Sequence, residues 1–175
     1  MITLQYLFWI LVFLFAIIGA MRGWAKELLV TFAVIVGLFM IAIMQRFAPA
    51  SLRAFLLDAG KPQFWIQSGI VLLMAFFGYQ TPYITKIASG KFIREKLSDS
   101  LLGFFIGMLN GYLIVGSLWY FMQQAGYPFG PNIVAPPTDL AILDYLPPEL
   151  LIASNNPAIY FAVAISFLFV LIVFI

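Results

Sequence analysis

Five long apolar stretches divide the chain, at about Tyr6–Ala20, Leu28–Met44, Phe64–Ile87, Leu101–Met122 and Pro157–Ile175. Each approaches the roughly 20 residues that carry an α-helix across a hydrocarbon core of about 30 Å. The pattern predicts an all-α integral membrane bundle of about five transmembrane helices. Two connections are amphipathic. Arg46 to Lys61 sets Phe47, Leu52, Phe55, Leu56 and Leu57 among Arg53 and Asp58. Ser89 to Ser100 sets Phe92, Ile93 and Leu97 opposite Lys91, Arg94, Glu95 and Lys96. Such segments are expected as short helices in the membrane interface, apolar side down.

Details of the pattern place the boundaries. No Lys or Arg precedes the first stretch, while Arg22 and Lys26 follow it, so it reads as a retained helix and not a cleaved signal. Pro82 removes a backbone donor from the third stretch, which predicts a kink or break near Tyr79 to Tyr83. Ser154, Asn155 and Asn156 offer capping side chains, and Pro157 suits the first position of a helix. The connection from Gln123 to Asn156 has six prolines, three acids and no Lys or Arg. It is expected to form an ordered, irregular cap, with a helical turn or two around Asp139 to Tyr145. The chain thus divides into a four-helix core (1–122), a Pro-rich loop (123–156) and a fifth helix (157–175). The last run stops at Ile175 with no polar flank, as at the far lipid face or at a cut in a longer sequence.

Composition agrees. Of 175 residues, 64% are hydrophobic and 9% charged, with mean hydropathy +1.06. Soluble domains carry about a quarter charged residues, so so little charge could not cover a water-facing surface. Net charge +2 gives no bulk attraction for nucleic acid. With no Cys and no His, the chain by itself makes no disulfide, Cys/His zinc site, His-ligated haem or serine–histidine hydrolase. No cofactor is implied by its ligands, and bound lipid is the expected non-protein companion. Lys and Arg mark cytoplasmic loops. Six bases (Arg22, Lys26, Lys86, Lys91, Arg94, Lys96) fall on one side and three (Arg46, Arg53, Lys61) on the other. That places the N-terminus outside.

Two motifs stand out. Gly103, Gly107 and Gly111 step by four and form one stripe along the fourth helix, where another backbone can approach closely. Asn110 and Ser117 lie near that stripe and are placed to hydrogen-bond across the contact. The stripe serves either packing within the bundle or a homodimer or partner-subunit face. The second motif is Gly19, Arg22, Gly23 and Glu27, after the first helix. Arg22 and Glu27 lie too near lipid to remain unpaired. Their expected partners are each other, Lys26, or charges between Lys91 and Asp99. Lys91, Arg94 and Lys96 are candidates for interfacial lipid or a partner. No ionisable residue lies mid-way along any of the five stretches, which weighs against ion-coupled transport. Paired acids, nucleophile–base pairs and metal clusters are missing, so no catalytic residue is assigned and an enzyme is not expected.

In order and spacing these features resemble the CvpA family, the colicin V production proteins of bacteria. That family has G-x-x-R-G-x-x-x-E after its first helix, here Gly19, Arg22, Gly23 and Glu27. It has an acid and then L-G-x-x-x-G-x-x-x-G opening its fourth helix, here Asp99, Leu102, Gly103, Gly107 and Gly111. The resemblance spans about Leu4 to Met122. The chain has Gln5 where the family often has an acid, and Asn110 where it often has a base. The resemblance implies a multi-pass bacterial inner-membrane protein tied to colicin V production and envelope homeostasis, with no defined biochemical activity. The function expected is therefore non-enzymatic, through helix-mediated assembly. It would be a homo-oligomer or an accessory subunit of a larger photosynthetic or respiratory membrane complex. The alternative is a small transporter or channel component.

Overall fold

The computed structural model describes residues 4–47, 49, 61–80, 96–129, 141–153 and 157–174. Among the described residues are five long helices: α1 (Leu4–Arg22), α2 (Trp24–Phe47), α3 (Lys61–Tyr79), α4 (Lys96–Gln124) and α5 (Ala158–Phe174). A 3-10 turn (Ala141–Tyr145) and a π-helical turn (Glu149–Ala153) lie between α4 and α5. No strand occurs among the described residues. Leu4–Arg22, Trp24–Phe47 and Leu97–Gln124 are long and apolar enough to cross a membrane, and Ala158–Ile172 is a shorter apolar helix. The polar Gln63 and Gln67 fall in the first two turns of the 19-residue α3. The protein is an all-α, multi-pass membrane bundle.

Helix α2 sits at the centre, against α3, α4 and α5, while α1 packs chiefly on α4. The spacing of buried residues explains this. On α1 they are Phe8, Val12, Ala16 and Gly19, and on α2 Val30, Val34, Leu38 and Ile41. Steps of three and four keep each set on one helical face. The remaining faces are apolar and exposed, including Ile10, Phe13 and Ile17 on α1, Phe76 and Phe77 on α3, and Phe161, Ile165 and Ile172 on α5. In a bilayer such surface meets acyl chains and needs no polar cover.

The connection after α4 is more tightly packed than a peripheral cap. The expected turn appears at Ala141–Tyr145, and Leu146, Pro147 and Pro148 behind it are fully buried. A Cβ on Gly116 would lie 2.7 Å from Pro147 Cδ, so that glycine admits the proline ring. The Tyr112 hydroxyl donates to the Tyr145 carbonyl. Helix α4 has 29 residues, about 44 Å, which exceeds the hydrocarbon thickness. Its C-terminal half supplies the flank on which this segment lies. The Pro82 kink, most of the first amphipathic connection, and Lys91 and Arg94 lie outside the described residues, and Lys96 opens α4.

Candidate functional site

The α1–α2 turn begins with a glycine. Gly23 takes φ +87°, a left-handed conformation that suits the residue after a helix. Its N–H returns to the Gly19 carbonyl at 3.0 Å. Helix α4 then closes both helix ends at once. Asp99 Oδ1 accepts the Trp24 N–H at 3.1 Å, capping the start of α2. Ser100 Oγ donates to the Ala20 carbonyl at 2.9 Å, at the end of α1. Helix ends leave such groups without intrahelical partners, and an anion is favoured at an N-terminus.

One turn into α2, Glu27 is fully buried. Arg22 Nη1 meets Glu27 Oε1 at 2.6 Å. The guanidinium also lies 4.4 Å from the centre of the Tyr79 ring, and Nη2 donates to the Tyr79 carbonyl at the end of α3. Asn110, from the middle of α4, donates both amide hydrogens to Glu27, at 2.8 Å to Oε2 and 2.9 Å to the backbone carbonyl. Thr31 Oγ1 donates to Asn110 Oδ1 at 2.6 Å. The Tyr79 hydroxyl reaches Glu27 Oε2 at 3.5 Å. Arg22, Glu27, Tyr79 and Asn110 thus join α1, α2, α3 and α4. The carboxylate has a countercharge and several donors, which a buried anion requires.

Beside this junction the backbones of α1 and α4 come together. A Cβ on Gly107 would stand 2.5 Å from the Phe15 carbonyl oxygen, and one on Gly103 would stand 2.4 Å from that of Gly19. A Cβ on Gly111 would meet Phe15 Cβ at 2.8 Å. The stripe of α4 is therefore filled by α1 of the same chain.

The family model for Colicin V production protein matches residues 4–136. The chain belongs to that family. The match takes in α1 to α4 and runs past Met122 into the Pro-rich connection. No curated protein and no solved structure matches it.

In this Colicin V family chain both motifs converge. Gly19 faces Gly103 and Gly107, Gly23 faces Asp99, and Arg22 pairs with Glu27. The choice left open for the glycine stripe is decided, and two expectations change. The glycine face is occupied from within the chain, so it is closed to a second protein. Asn110 bonds to α2 and not across the glycine contact, because it lies on the α4 flank that faces Glu27. Ser117 also makes no bond across that contact, since its hydroxyl returns to the Leu113 carbonyl one turn earlier. Sequence reasoning placed no role on Tyr79 or Ser100. Thr31 carried a signal, being one turn beyond Glu27 on the same face, whereas Tyr79 carried none. Among the described residues no group of three or more His, Cys, Asp or Glu is arranged to hold a metal.

Proposed function

We propose that this Colicin V family protein is a non-enzymatic scaffold of the bacterial inner membrane that acts by assembling with other membrane subunits or with further copies of itself. The N-terminus lies outside on this reading. The observation that carries it is the use made of the buried charge. Arg22, Glu27, Asn110, Thr31 and Tyr79 bond to one another and tie four helices into one body. Their polar capacity goes into cohesion. With the glycine face of α4 filled, contact with a partner falls to the outward apolar faces of α1, α3 and α5. Such a rigid, apolar-faced body suits an accessory subunit of an energy-converting complex, with lipid at its interfaces.

The test is extraction from native membranes in a mild detergent, followed by native mass measurement and cross-linking. The chain has no cysteine, so single cysteines report on one face at a time. Phe161→Cys or Phe76→Cys is expected to cross-link to a stoichiometric companion or a second copy. A monodisperse monomer with neither face cross-linking would overturn the reading.

A further inference from the structure

The two ends of α3 are held differently. At the last turn, a Cβ on Gly78 would lie 2.8 Å from Val30 Cα and 3.0 Å from Ala33 Cβ, so the backbone of α3 is seated directly on α2. The Tyr79 carbonyl beside it accepts from Arg22 Nη2, and the guanidinium lies over the Tyr79 ring. Displacing this end would break into the bonds around Glu27. Gln63, in the first turn, is about 24 Å away at 1.5 Å per helical residue. The contacts there are lighter. Gln63 Nε2 donates to Gln124 Oε1 at 3.4 Å, which is long for such a bond, and Gln124 is exposed, so water competes for it. The Phe129 ring, from the segment after α4, packs edge-to-face on Phe64 and Trp65, with centroids 5.1 and 5.9 Å away. The amide bond and this ring latch the start of α3 to the end of α4.

Behind the latch, Gln63, Gln67 and Ser68 are only 4%, 2% and 2% exposed. Gln63 Oε1, Gln67 Oε1 and Ser68 Oγ have no hydrogen-bond partner, and among the described residues all such buried side-chain atoms fall in these first turns of α3. Buried polar atoms are almost always bonded. Each of the three disfavours the closed packing by itself, whichever way it points, because burial strips its water and nothing replaces it. Water admitted to these turns would satisfy them one by one.

We propose that α3 is a hinged helix, pivoting on α2 at Gly78 and Tyr79, whose first turns swing away from α4 and admit water to Gln63, Gln67 and Ser68. The structure is the closed form. The opened space is a vestibule at the end of the bundle remote from Arg22 and Glu27. Its floor is apolar, since the next buried positions on α3 are Val71 and Ala75. Segments that open locally are those whose closed packing is least stable, and the unpartnered oxygens place that weakness at one end of one helix. The inference does not rest on the assembly reading. It concerns motion within one copy, and the bonds between Arg22, Glu27 and Asn110 stay intact in both forms.

The test uses single cysteines in the full chain, which has none of its own, reconstituted in lipid nanodiscs. The rate of modification by a charged methanethiosulfonate is measured at Ser68→Cys and at Ala75→Cys, both buried in the closed form. Hinged opening is expected to make Ser68→Cys react about tenfold faster or more, because local opening reaches one site and not the other. Val71→Cys takes the place of Ala75→Cys if the larger side chain is not tolerated there. Gln67→Leu removes an unpartnered oxygen from the closed form, and is expected to slow reaction at Ser68→Cys several-fold and to raise Tm. Phe129→Ala removes part of the latch, and is expected to speed that reaction several-fold while leaving Ala75→Cys unchanged. Equal protection of the two sites would show that this end does not open, and equal reactivity would show that the whole bundle does. Either result overturns the proposal, as does a rate at Ser68→Cys that neither Gln67→Leu nor Phe129→Ala alters.

Discussion

Glu27 carries a negative charge into the bundle interior, and each neighbour has a separable part in keeping it there. Arg22 supplies the countercharge. Arg22→Met would leave the carboxylate buried without one, at a cost of about 3–5 kcal/mol. Replacing both residues, Arg22→Met with Glu27→Met, should recover most of that loss, because an apolar pair needs no solvation. Unfolding in mixed micelles distinguishes the two, and a double variant no more stable than Arg22→Met would contradict the assignment. Asn110 provides neutral donors. Asn110→Leu removes two bonds to Glu27 and the acceptor of Thr31, for about 2–3 kcal/mol. Thr31→Val removes one bond, for about 1 kcal/mol. Because the two residues share a bond, their losses should be less than additive in a double-mutant cycle. Asn110 stands where the family resemblance led to expect a base. With Arg22 already at 2.6 Å from the carboxylate, a neutral amide satisfies the remaining oxygen.

Helix ends and helix contacts set the next level. The α1–α2 turn depends on Gly23 and on Asp99, which reaches it from α4. Asp99→Ala should cost about 1 kcal/mol through the lost N-cap. Gly23→Ala places a Cβ on a left-handed residue, which costs about 1–2 kcal/mol, and that Cβ would lie 2.7 Å from Asp99 Oδ2. Gly23→Ala should therefore be better tolerated once Asp99 is already alanine, a coupling that chemical unfolding can measure. Gly107 and Gly69 make a sharper comparison. Nothing lies within 4 Å of a Cβ at Gly69, so Gly69→Ala should gain up to about 1 kcal/mol of helix propensity. At Gly107 the obstacle is the Phe15 backbone, which cannot rotate away. Gly107→Ala should cost about 1–3 kcal/mol as α1 is pushed off α4. Equal effects at the two sites would show that the α1–α4 approach is not as close as described.

At the scale of the whole molecule, α4 runs 29 residues through the bundle, so its start and its end lie on opposite sides. The absence of native cysteine makes this directly measurable. Ser98 is exposed near the start of α4, and Gln123 is exposed at its far end. In cells whose inner membrane is accessible from outside, Gln123→Cys is expected to react with an impermeant maleimide. Ser98→Cys is expected to react only after permeabilisation. The reverse pattern would invert the orientation drawn from the Lys and Arg distribution, and reaction of both from one side would contradict a membrane-crossing α4.

Much of this was legible in the one-dimensional pattern. Runs of apolar residues of membrane-spanning length mean helices because lipid offers no partner to an exposed backbone. The step of four among Gly103, Gly107 and Gly111 announced a close helix contact, since small residues on one face let backbones meet. The positions of Arg22 and Glu27 beside lipid announced a charge pair. What the pattern could not supply was the identity of neighbours. Acyl chains are as apolar as leucine, so hydropathy gives no preference for which helix packs on which. Only the tertiary arrangement selected α1 to fill the glycine stripe. Only it brought Asn110 across 83 positions of chain to Glu27 and turned Tyr79 toward Arg22. The bond from Gln63 to Gln124 lies equally beyond the sequence, because it links α3 and α4. Sequence thus determined the helices and the chemistry they carry, while packing decided which polar groups meet, because hydrogen bonds and close backbone contacts depend on geometry that hydropathy does not encode.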